Sequence, residues 1–270
     1  MSRLTMHLES SVSSSPTFPT ASRCRPLDEP VVDLSFPHQI FVPEHYEPGY
    51  DYPLVVWLHS DASSECELDN VMMALSRRNY IAVAPRANHQ CRGAGRRFHW
   101  GTPSAVCDRA EERVWDSVQG VASRLSVNTN KVFLAGFGSG GTMAQWIGLK
   151  YANQVAGVVS LSGSFPKTSS ALSNWKRARK LPVLFSQRQG SVVCGDDELV
   201  RAVRISHQAG LGYQFCQFRS EDYDCNEASE LDSSMLDVAN RFMMGIVTGT
   251  EVSLSSEETC DNECIEFGYN

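Results

Sequence analysis

No stretch of about 18 apolar residues runs through this sequence, which excludes a membrane-spanning helix. The opening segment, MSRLTMHLESSVSSSPTFPTASR, holds no apolar core of a secretory leader either, and this predicts a cytoplasmic protein. Positive charge is in short supply: 24 Lys and Arg stand against 31 Asp and Glu, a net charge of −7. A nucleic-acid binder needs a basic footprint, so that class is excluded. The nine cysteines are an odd number and contain no CxxC pair. A disulfide framework or a tetrahedral zinc site is therefore not expected; Cys260 and Cys264 form only a CxxxC, too little alone to hold a metal. No metal or cofactor is predicted. Histidine stops early: the seven are His7, His38, His45, His59, His89, His99 and His207, with none after residue 207.

What is present is enough apolar sequence for one substantial core, at 42% hydrophobic and 20% charged residues over 270 positions. Residues 1–30 are rich in Ser, Thr and Pro and are expected to be disordered. From Val31 short strands begin, VVDLSF and HQIFV, followed by the apolar run PLVVWLH at 53–59. A helix is predicted around Leu68–Arg77, then the strand YIAVAP at 80–85, a long amphipathic helix at about Ala110–Leu125 and the strand KVFLAG at 131–136. After a glycine-rich turn come a helix to Tyr151 and the strands AGVVSLSG (156–163) and LPVLFS (181–186). A helix near Asp196–Ala209, the strand YQFCQF (213–218) and a helix near Ser233–Met244 complete the series. Buried strands alternating with helices predict an α/β domain over 31–246, a mostly parallel central sheet with helices on both faces. Residues 247–270 read as an acidic, serine-rich tail.

Ligands of such a sheet bind at the carboxyl ends of its strands. Three of those ends, PLVVWLHSD, YIAVAPR and LAGFGSGGTMA, together resemble the carboxylesterase/phospholipase branch of the α/β-hydrolase fold, which there reads PLVVLLHG and GFSQGGTMA. The resemblance implies a serine esterase with a Ser–Asp–His triad and a nucleophile elbow, G-x-S-x-G, whose serine is held in a strained backbone conformation. Laid on LAG and GGTMA, the elbow puts Gly138 at the nucleophile position and Ser139 one place later. Shifting the register so that Ser139 becomes the nucleophile brings Phe137 to a position where close packing wants glycine.

The other triad positions depart as well. The base should follow the last strand in a G-H-x-[IL] stretch, and the match here, ASEL at 228–231, has Ser229 in place of histidine. His207 precedes that strand, on a helix. The acid should follow LPVLFS in an H-G-x-x-D pattern, where SQRQG places Gln189 or Gly190; Asp196 and Asp197 read as helix-start residues favoured by the dipole.

Around these vestigial positions, His59, Ser60 and Asp61 fill the family's oxyanion loop, His59 being read as a brace. RRFHWG (96–101) resembles an aromatic loop over the pocket, so His99 and Trp100, with Phe137, are the remaining expected pocket residues. Phe98 and Trp100 could instead fill it. WKRARK (175–180) is a basic helix face, solvated or facing an acidic partner. Two function classes compete: a carboxylesterase-like pseudoenzyme that binds a small acyl or ester-like ligand or a protein partner, and an active serine carboxylesterase/phospholipase using Ser139. A structural subunit of an assembly is a third.

Overall fold

The computed structural model describes residues 36–91, 95, 97–101, 104–167, 175–191, 193–218, 231 and 233–250, without the side chains of 104–108 and 175. The Ser/Thr/Pro-rich start, most of VVDLSF, Ser229 and the pair Cys260 and Cys264 lie outside these residues.

Among the described residues seven strands build the central sheet: β1 (His38–Phe41), β2 (Tyr52–Leu58), β3 (Ile81–Pro85), β6 (Val127–Phe137), β7 (Gly157–Leu161), β8 (Val183–Arg188) and β9 (Tyr213–Phe218). Their order is β1-β3-β2-β6-β7-β8-β9. Only β1 runs antiparallel, against β3; the other neighbours are parallel. β2, β3 and β7 are buried at every position because helices cover both faces, which is why β2 and β3 read as apolar runs and β7 admits only Ser160 among its apolar residues. The ribbon β4 (His89–Gln90) and β5 (Phe98–His99) stands apart.

Each face has its own core. Leu54, Val56, Leu134 and Val158 point to one side with α2 (Ser104–Ala122), α3 (Ser139–Lys150) and α5 (Asp196–Ala209). Val55, Trp57, Phe133 and Val159 point to the other, under α1 (Glu67–Leu75) and α6 (Ser233–Thr248). The short α4 (Trp175–Ala178) carries part of WKRARK, with Lys176 and Arg177 exposed. Among the described residues no helix is long and apolar enough to cross a membrane.

Some boundaries differ from those the sequence predicts. β8 continues through Gln187 and Arg188 because both pair with β9, opposite Gln217 and Phe218. α6 runs on to Thr248, past the expected start of the tail, since Ile246 and Val247 still pack on the core. The two-residue strands β4 and β5 have no periodicity to announce them.

Candidate functional site

The elbow lies at the carboxyl end of β6, in the middle of the sheet. Gly138 has φ 56° and ψ −121°, a conformation that side chains rarely adopt. Its N–H donates to the Leu161 carbonyl at 2.9 Å, and its own carbonyl accepts the Thr142 N–H at 3.0 Å, so the turn is tied to β7 and α3. The residues two places to either side meet backbone: a Cβ on Gly140 would lie 1.9 Å from the Leu58 carbonyl oxygen, and one on Gly136 2.5 Å from the Gly140 carbonyl carbon. This symmetry sets the register. Gly138 takes the elbow position, and Ser139 becomes the first residue of α3.

Ser139 has its hydroxyl engaged. Its Oγ–H donates to Asp61 Oδ1 at 2.7 Å, joining the loop after β2 to the loop after β6. The same β2 loop is pinned by Glu67, at the start of α1. Glu67 Oε1 accepts the Trp57 indole N–H at 2.8 Å, and Oε2 accepts the Ser60 hydroxyl at 2.7 Å and the Ser60 N–H at 3.2 Å.

His59 is fully buried. The Ala87 N–H donates to its Nε2 at 3.1 Å, which leaves the proton on Nδ1, facing the Ser60 carbonyl at 2.8 Å. Burial lowers its pKa below the ordinary 6.5, outweighing the Ser60 carbonyl and the carboxylates of Glu67, Glu65 and Asp61, which favour the charged form. Both ring nitrogens are committed to backbone, so His59 braces the loop. Trp100 shares this role: it is buried, its indole N–H donates to the His59 carbonyl at 2.8 Å, and the two rings are 5.2 Å apart.

A chain of contacts fixes the neighbouring wall. Ser63 pairs with Phe98, whose N–H donates to the Ser63 carbonyl at 2.8 Å. The Arg86 guanidinium lies 4.6 Å from the centre of the Phe98 ring and forms a two-pronged ion pair with buried Glu65, its Nε 2.7 Å from Oε2. Burial alone would raise the Glu65 pKa; the hydrogen bond from Arg86, a backbone N–H and the Arg86 charge together bring it below its ordinary value.

Between these parts lies a cleft of about 900 Å³. Ser60, Asp61, Phe137, Gly138 and Ser139 form its inner end. α1 contributes Glu67, Asn70, Val71 and Ala74, the start of α6 contributes Leu231, Ser233 and Leu236, and Val193 and Arg97 close the sides. Of the residues expected around a pocket, Ser60, Asp61 and Phe137 are therefore brought together at the elbow. His59 and Trp100 are not on its surface, because their polar atoms are used inside the fold. His99 stacks on His89, with ring centres 5.3 Å apart, and is not part of the lining.

The expected acid positions hold no carboxylate. Gln189 and Gly190 are exposed at the turn after β8, Gly190 at φ 69°. Asp196 Oδ1 accepts the side-chain amides of Gln187 at 3.1 Å and Gln217 at 3.3 Å, which ties it to β8 and β9. Asp197 is exposed beside it in the first turn of α5, as a helix-start residue should be. A residue the sequence reading passed over shapes this turn instead: buried Ser191 accepts the N–H groups of Val193 at 3.1 Å and Cys194 at 3.0 Å through its Oγ. That places Val193 over the elbow, where its Cγ1 lies 3.2 Å from the site of a Cβ on Gly138. His207 is exposed in the last turn of α5, which runs back from the carboxyl end of β8 to the start of β9, so it stands at the sheet edge remote from Gly138.

The profile of the phospholipase/carboxylesterase family matches residues 60–243, well over half of the chain and including the elbow itself. This chain belongs to that family. No curated protein matches its sequence. Among solved structures it is similar to esterase PE8, with 20% identity, a TM-score of 0.61 and coverage of 80% of this chain and 100% of that one. It is also similar to Arabidopsis thaliana SOBER1, with 18% identity, a TM-score of 0.60 and coverage of 73% and 99%. The carboxylesterase of Bacillus cereus shares 14% identity at a TM-score of 0.57, over 77% of this chain and 93% of that one. At such identities the likeness is one of fold, the α/β-hydrolase fold, and the chemistry must be argued from the side chains.

Proposed function

We propose that this family member has lost ester hydrolysis and keeps its cleft as a binding site. The observation that carries the reading is the elbow: the position that presents a nucleophile in the family is Gly138, and the adjacent hydroxyl, Ser139, is given to a carboxylate and not to an imidazole. A serine hydroxyl becomes a useful nucleophile when a base removes its proton and returns it to the leaving group. His59 has both nitrogens committed, His207 is remote, and the sequence has no histidine beyond residue 207. Asp61 adds a second obstacle. A carboxylate at the elbow opposes the negative charge that develops on the carbonyl oxygen during acyl transfer.

The test is chemical. Purified protein is expected to give no burst with an activated acyl ester and no adduct with a fluorophosphonate probe. The competing reading, a serine hydrolase acting through Ser139, draws on the place of that hydroxyl in the cleft and its short bond to Asp61. A probe adduct mapped to Ser139 and lost in Ser139→Ala establishes it and overturns ours.

A further inference from the structure

The charge of the cleft differs in sign from what acyl chemistry needs. Asp61 is exposed at the inner end, and the hydrogen bond from Ser139 occupies only one of its oxygens. A carboxylate has about four acceptor sites, so the bond from Ser139 leaves most of its capacity unused. Glu67 lines the same space, and its hydrogen-bond partners, the Trp57 indole and the Ser60 hydroxyl and N–H, are all neutral. Among the described residues neither carboxylate forms an ion pair, and Arg97, the cation of the described lining, is exposed and forms none with them.

Space and polarity add the rest. Gly138 has no side chain, and among the described residues other than its chain neighbours only Val193 Cγ1 lies within 4 Å of the place a Cβ would fill, so a ligand head can enter the space a nucleophile would take. Val71, Ala74, Leu231 and Leu236 add apolar surface to the lining, beside Asn70 and Ser233.

Building on the non-hydrolytic reading, we propose that the cleft takes an amphiphile with an ammonium head, the head paired with Asp61 and the apolar body lying between α1 and α6. An alkylammonium donates hydrogen bonds to the free acceptor sites of Asp61 and places its chain where water gains little by staying. An alkanoate of the same length brings its charge against Asp61 and Glu67, and an alkanol has no charge to pair.

The experiment is calorimetric titration of the full chain near pH 7 with n-octylammonium, n-octanol and n-octanoate. Octylammonium is expected to bind at least about tenfold more tightly than octanol, with octanoate weakest, and added salt should narrow the gap. Asp61→Asn keeps an acceptor for Ser139, so it should fold normally and lose the ammonium preference. Equal binding of ammonium and alkanol, tighter binding of octanoate, no binding of any of the three, or a preference retained in Asp61→Asn overturns the proposal. Fluorophosphonate labelling of the same sample separates the two claims. An unlabelled protein without ammonium preference defeats this inference alone, whereas a Ser139 adduct defeats the non-hydrolytic reading whatever the titration gives.

Discussion

Gly138→Ser restores the residue type of a nucleophile elbow, and its cost follows from the backbone. Holding a non-glycine residue at φ 56° and ψ −121° costs about 1–3 kcal/mol. The new Cβ would also sit 3.2 Å from Val193 Cγ1, so Val193 must yield by a few tenths of an ångström, which Ser191 resists by holding the Val193 N–H. For a domain of this size each kcal/mol lowers the melting temperature by about 2–4 °C, so the variant should melt about 2–12 °C below the parent. Thermal unfolding followed by circular dichroism measures this, and a burst assay on the same sample asks whether hydrolysis appears. None is expected, because among the described residues no histidine lines the cleft at the elbow. A variant as stable as the parent would show that residue 138 does not hold this conformation. An appreciable esterase rate would show that another group serves as base.

Other expectations are equally direct. Gly140→Ala should be far worse than Gly138→Ser, failing to give soluble protein, because its Cβ would stand 1.9 Å from backbone that cannot move aside; comparable yields of the two variants would contradict the packing of α3 on β2. Glu65→Gln removes the charge from a buried ion pair and leaves Arg86 uncompensated, at a cost of about 3–5 kcal/mol in chemical denaturation; a loss below 1 kcal/mol would mean the pair is not structural. Acid should weaken the fold in two stages. The folded-state pKa of His59 is lowered, so its contribution is complete above the ordinary 6.5 and is lost as pH falls through the folded value. Glu65 follows at lower pH by the same sign, its contribution being complete above 4.5 and lost below. Melting temperatures across this range check both, and the first stage should vanish in His59→Gln.

Much of the architecture is legible in the chain. β2 and β3 stand out as short apolar runs because burial on both faces leaves no exposed position along them. The elbow is legible because glycines at 136, 138 and 140 leave one register that satisfies both the backbone approach and the positive φ. The site is less so. The Ser139–Asp61 bond joins residues 78 positions apart, and nothing local marks either as the other's partner. Glu67 reads as an ordinary first-turn acid of α1, yet it organises the β2 loop through three hydrogen bonds. The aromatic loop suggested His99 and Trp100 for the pocket. Both have partners elsewhere, and the outer wall comes instead from α1 and α6, whose facing sides depend on how the helices seat on the sheet.

The wall that runs from Ser63 through Phe98 and Arg86 to Glu65 bears on how fast the cleft can fill. Each link there is already made: a strand-like backbone bond, a cation over a ring, and an ion pair closed away from water. Glu67 holds the β2 loop in the same way. Among the described residues these parts of the rim therefore need not fold or swing before a ligand enters, and the entropy lost there on binding is mainly the ligand's own. Association should then proceed in a single kinetic phase whose rate rises linearly with ligand concentration, without the plateau that a slow opening step imposes. Rim amides such as that of Phe98 should exchange with solvent at nearly the same slow rate before and after the cleft is occupied.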